Sequence, residues 1–183
     1  MTANSQFQSI QEPSIFRGFS NLFKKENYAW WKTRRWWINL ILWAGSLGGL
    51  VIIMLFVLPP IAEATNDPNV TEMGGPIPFA LEMGRSVFFE LGTMAIAIGV
   101  IVLSQDLIIE EKQSGVAEWI LSKPVARRSY ILAKLAANAI AILVLLLLVP
   151  GIITYGLFYL RSGEPLAIGA YLAGIGIMAL HMI

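Results

Sequence analysis

The chain has 183 residues, 56% of them hydrophobic and 14% charged, with a net charge of +1. Soluble domains run at about 45–50% apolar and about 25% charged, so these values exclude an ordinary water-soluble globule, and a disordered chain more firmly. The near-neutral balance gives no electrostatic basis for nucleic-acid binding, and the absence of cysteine excludes disulfides, thiol catalysis and cysteine zinc sites.

Residues 1–13 read as a polar tail. From Ser14 onward Ile15, Phe16, Phe19, Leu22 and Phe23 recur at helical spacing, with Arg17, Lys24, Lys25 and Glu26 placed elsewhere, and Pro13-Ser14 suits a helix start. An aromatic-basic cluster follows at Tyr28, Trp30, Trp31, Lys32, Arg34, Arg35, Trp36 and Trp37. Such rings and cations favour the headgroup level. Segment 14–35 is therefore expected to be an amphipathic interfacial helix with an aromatic-basic belt. Its anchoring groups would be Phe16, Phe19, Phe23, Trp30, Trp31, Arg34, Arg35, Trp36 and Trp37. Generic anchoring and a dedicated interface helix fit this pattern equally.

The transmembrane domain is expected over 36–183. Residues 36–62 and 135–160 carry no charge, and each suffices for a spanning helix of about 20 residues. Pro59-Pro60 is expected to stop the first near Leu58, giving spans of 36–58 and 135–160. A second span is read at 86–105, where ten Val, Leu, Ile or Phe residues supply about −3 to −6 kcal/mol against about +3 for a carboxylate at mid-membrane, a penalty that is smaller for Glu90 near the outer end of the span. Glu90 is the one carboxylate within a span and a functional candidate on that ground. Snorkelling to the interface or pairing with Arg85 accounts for it more simply. A fourth span is read at 165–183. Gly45 and Gly49 have the spacing that permits close helix approach. The chain thus reads as all-α, a polytopic membrane protein of about four transmembrane helices preceded by an interfacial one.

Eleven of the 13 lysines and arginines fall before the first span or in the segment 106–134. The positive-inside rule then places the N-terminus and that loop in the cytoplasm. Within the loop, Asp106, Glu110 and Glu111 share a helix face, better explained by solvation than by cation binding. Gly115 bends the chain, and Val116, Trp119 and Ile120 form a short apolar stripe that needs lipid or a partner protein to cover it. No phosphate-binding G-x-x-x-x-G-K-[ST] loop occurs, and His181 has no second ligand near it. Catalytic, metal and cofactor-binding residues are therefore expected to be absent, and the chain is not expected to be an enzyme.

Glu111, Gly115, Glu118, Leu121-Ser122 and the run Pro124-Val125-Ala126-Arg127 together resemble the cytoplasmic loop of ABC-2 type transporter permeases. Lys134 matches the lysine that usually opens the third span in that family. Phe23-Lys24-Lys25-Glu26 with the run at 31–37 looks like its entry to the first helix. The resemblance implies a coupling helix near 115–121 that docks on a separate cytoplasmic ATP-binding subunit. Glu111, Gly115, Val116, Glu118, Trp119, Ile120, Leu121, Pro124 and Arg127 would make that contact. It further implies ATP hydrolysis on the partner, an exporter, a second permease copy or homologous permease as dimer mate, and a bacterial or archaeal plasma membrane. The family usually has six spans, so four imply that the last two are lacking, in a truncated copy, a fragment or a chain completed by another subunit. The competing expectation is a non-transport membrane anchor or assembly factor that recruits a cytoplasmic partner through the same loop.

Overall fold

The structure, a computed structural model, describes residues 16–105, 113, 115, 119, 122 and 126–182. Among them it is helical without strands. The helices are α1 (Phe19–Lys32), α2 (Arg35–Ala64), α3 (Pro68–Glu72), α4 (Pro76–Ser104), α5 (Arg127–Ser162) and α6 (Ile168–Leu180). α2, α4 and α5 are each long and apolar enough to cross a membrane. With 13 residues, α6 is about 20 Å long, short of a hydrocarbon layer of roughly 30 Å. This is a polytopic, membrane-embedded all-α protein.

Helix ends differ from the sequence expectation in two places. α2 runs through Pro59-Pro60 to Ala64 rather than stopping near Leu58. A wide turn, Ile53–Val57, stands just before the prolines, and another, Leu143–Leu148, stands just before Pro150 in α5. The wider bonding resets the ladder, so each proline falls at the opening of the next regular segment, where its missing N–H matters least. α4, in turn, begins at Pro76 instead of near Ser86. Glu82 and Arg85, which interrupt the hydropathy there, pair with each other one turn apart and let the helix continue through them.

One cluster holds the long helices together. It joins Leu47, Val51 and Leu55 of α2, Phe88 and Ile96 of α4, Ile142, Leu146 and Phe158 of α5, and Tyr171 and Met178 of α6. The Tyr171 hydroxyl donates to the Gly151 carbonyl at 2.7 Å, and its ring stacks on Phe88 with centroids 6.1 Å apart. Glycines at every second turn of α4 permit the close approach. A Cβ on Gly84 would stand 2.9 Å from Leu55 and Phe158, on Gly92 2.9 Å from Met178, and on Gly99 2.8 Å from Leu146. The Gly45/Gly49 spacing does not serve this purpose: a Cβ on Gly49 meets nothing within 4 Å. Gly99→Leu should therefore cost about 1–3 kcal/mol through overpacking. A lowered melting temperature in detergent would show it, and Gly49→Ala should leave that temperature unchanged.

Candidate functional site

Two regions carry chemistry that packing alone does not explain. The first lies at the basic end of the bundle. Gly18, in the left-handed region at φ 84°, turns the chain into α1. The apolar stripe of α1 faces α5: Leu22 is buried with Tyr130 and Ala133, and Phe19 and Phe23 pack beside them. Glu26 follows Phe19 and Leu22 on the same stripe, a placement the sequence pattern had assigned to the polar side. Its carboxylate accepts from the Lys134 ammonium at 3.1 Å, with side-chain exposures of 13% and 8%, while Lys25 contacts the other oxygen at 3.1 Å. The Ala126 amide donates to the Arg17 carbonyl at 3.3 Å, joining the segment before α1 to the start of α5. The anchoring set thus divides. Phe19 and Phe23 turn partly onto protein, and Trp30, Trp31 and Trp36 are half-buried. Phe16, Arg34, Arg35 and Trp37 are exposed, with Trp36 and Trp37 stacked 4.4 Å apart.

Of the loop residues singled out, Glu111, Val116, Glu118, Ile120, Leu121 and Pro124 lie outside the described residues. Gly115, Trp119 and Arg127 are described. Gly115 has φ 72°, a conformation that glycine adopts without the steric cost of a side chain. Its carbonyl accepts from the Trp119 amide at 3.1 Å, and the Ser122 hydroxyl donates to the Trp119 carbonyl at 2.7 Å. The Trp119 side chain is 63% exposed. Arg127, also exposed, opens α5 two turns before the buried Lys134. An exposed indole is the kind of anchor that a protein partner buries.

The second region is Glu90. The sequence reading has it near the outer end of its span; in the structure it stands at the midpoint of the helix α4, which begins at Pro76. Gly84 sits level with Leu55 and Phe158, and Gly92 level with Leu47, so Glu90 lies beside the central stretch of α2. Arg85 does not pair with it, since the guanidinium is held by Glu82. The Arg161 guanidinium lies over the Phe56 ring, 5.8 Å from its centroid. From Arg85 to Glu90 is about 8 Å along the helix. It is exposed on a face otherwise formed by Leu91, Met94, Ile98 and Ile101. Among the described residues, no hydrogen bond or ion pair reaches it.

No group of three or more His, Cys, Asp or Glu residues that could hold a metal occurs among the described residues. The acidic set Asp106, Glu110 and Glu111 lies outside them. The Glu26–Lys134 pair was the feature sequence reasoning missed. Its signal was a carboxylate one turn beyond Leu22 and Phe23 on an apolar stripe. In comparisons with known proteins, the family described as ABC-2 family transporter protein matches residues 20–183, a stretch that takes in α1, the loop and every longer helix. No curated protein and no solved structure matches.

Proposed function

Because the chain belongs to the ABC-2 family of transporter proteins, we propose that it is the permease subunit of an ATP-driven exporter, coupled through the loop at 106–134 to a separate ATP-binding subunit. The match across residues 20–183 carries this reading. The absence of a phosphate-binding loop from the sequence fits a chain whose ATPase is another polypeptide. The exposed Trp119, on a turn opened by Gly115, supplies an apolar group for that partner to cover. In this reading the basic end faces the cytoplasm, which the distribution of lysine and arginine supports. Glu111, Val116, Glu118, Ile120, Leu121 and Pro124 complete the docking surface. Arg34, Arg35 and Trp37 meet anionic lipid at the same level, and a second permease copy completes the translocation unit in a bacterial or archaeal plasma membrane.

Co-expression with a candidate ATP-binding subunit from the same genome tests the proposal. The two should co-purify from detergent, and the complex should hydrolyse ATP in proteoliposomes faster than the ATP-binding subunit alone. A complex whose formation and release ignore nucleotide, with no transport activity, would instead mark an anchor or assembly factor.

A further inference from the structure

We propose that α5 is a two-part lever: its basic half, Arg127–Ile142, swings together with α1 about the stretch 143–151, while its other half stays fixed in the bundle. Two features meet at that stretch. The wide turn Leu143–Leu148 is followed by the buried Pro150, whose missing N–H leaves a carbonyl of the preceding turn without its helical partner. Wide turns and prolines are where long helices bend. Free space also flanks the stretch on two sides. A cavity of about 110 Å³ lies against Trp43, Gly92, Leu146 and Pro150, and another of about 180 Å³ against Leu147, Gly151, Tyr155 and Tyr171. A close-packed core would resist bending; this one leaves room for it. The wide turn Ile53–Val57 also precedes prolines, but it has only the seven residues Leu58–Ala64 beyond it to move.

The two halves of α5 are held differently. Beyond the hinge, Phe158 is fully buried against Gly84, and the Gly151 carbonyl accepts from Tyr171, whose ring packs on Phe88, Tyr155 and Phe158. Before the hinge, the contact with α4 is poorly made. Asn138 Nδ2 donates to Ser104 Oγ at a long 3.4 Å, and the buried Asn138 Oδ1 has no partner among the described residues. The contact with α1 is close, through Leu22 on Tyr130 and Ala133 and through the Glu26–Lys134 pair. α1 therefore belongs to the moving half. The permease reading supplies only the input: the docking loop runs directly into Arg127, so partner binding acts on the free end of the lever.

The chain has no cysteine, so spin labels on introduced pairs report without background. The test measures electron–electron distances in the full chain in nanodiscs, with labels at exposed positions. Ile131→Cys with Ile101→Cys compares the basic half with α4, Ile131→Cys with Tyr28→Cys compares it with α1, and Leu160→Cys with Ile77→Cys compares the other half with α4. A bend of about 20° at Leu143 carries Ile131 sideways by about 6 Å. The first pair should therefore show two populations about 6 Å apart, and the other two pairs one population each. Pro150→Ala, which restores the helical ladder, and Asn138→Leu, which replaces the poorly bonded amide with an apolar group of similar size, should each collapse the first pair to one population. A single population for the first pair in the parent chain would overturn the proposal, as would two populations for the third pair or both populations surviving in the variants. Two populations between Ile131 and Tyr28 would show that α1 does not ride on the lever, and would overturn it as well. No ATP-binding partner is needed, so failure of the permease reading, seen as absent co-purification, is separable from failure here.

Discussion

Lys134→Met should release α1 from α5. The ammonium is buried at the level where two helices meet, and its loss leaves the Glu26 carboxylate in a largely dry contact with only the half-exposed Lys25 beside it. Breaking one side of a buried pair costs about 2–4 kcal/mol. α1 has one buried leucine and two partly buried phenylalanines to hold it otherwise. Hydrogen exchange should therefore speed up by roughly 30- to 1,000-fold across 19–32, the range that this cost implies, while the amides of α5 stay protected. Replacing both partners, as Glu26→Leu with Lys134→Met, should restore most of the protection, because an apolar pair of similar size leaves no orphaned charge. Equal exchange in the single and double variants would show that the ion pair does not hold the helix.

The second large effect is expected at the loop. Trp119→Ala should weaken co-purification of the ATP-binding subunit by at least tenfold, since truncating a central interface tryptophan commonly costs 2 kcal/mol or more. Glu118→Arg should abolish it, by placing the opposite charge where the resemblance assigns a contact. Both variants should insert in the membrane normally, because Trp119 is exposed and outside the bundle core. Normal coupling in both would exclude the loop as the docking surface.

The long apolar helices were legible because charge-free runs have few alternatives to crossing a bilayer. Their ends were less so. Hydropathy counts Glu82 and Arg85 as two separate penalties, but on a helix they neutralise each other, which moved the start of α4 to Pro76 and Glu90 to its centre. The prolines misled for a related reason: a breaker predicted from a regular ladder does not break one already reset by a wide turn. Periodicity showed that α1 has an apolar face but not what covers it. Lipid and a neighbouring helix ask for the same leucines and phenylalanines, and the decisive residue was Glu26. The loop's residue pattern was legible in the sequence, and Trp119 is a described, exposed side chain within it.

The Glu26–Lys134 contact also sets an order for biogenesis. Its partners are 108 residues apart in the chain. At a synthesis rate of roughly 5–20 residues per second, α1 leaves the ribosome about 5–20 s before Lys134 exists to meet it. For that interval the stripe of Phe19, Leu22 and Phe23 has no protein to rest on, and the bilayer surface is the available shelter. The lysines and tryptophans around the stripe equip α1 for that waiting period, so one helix carries two successive addresses, first on lipid headgroups and then on α5.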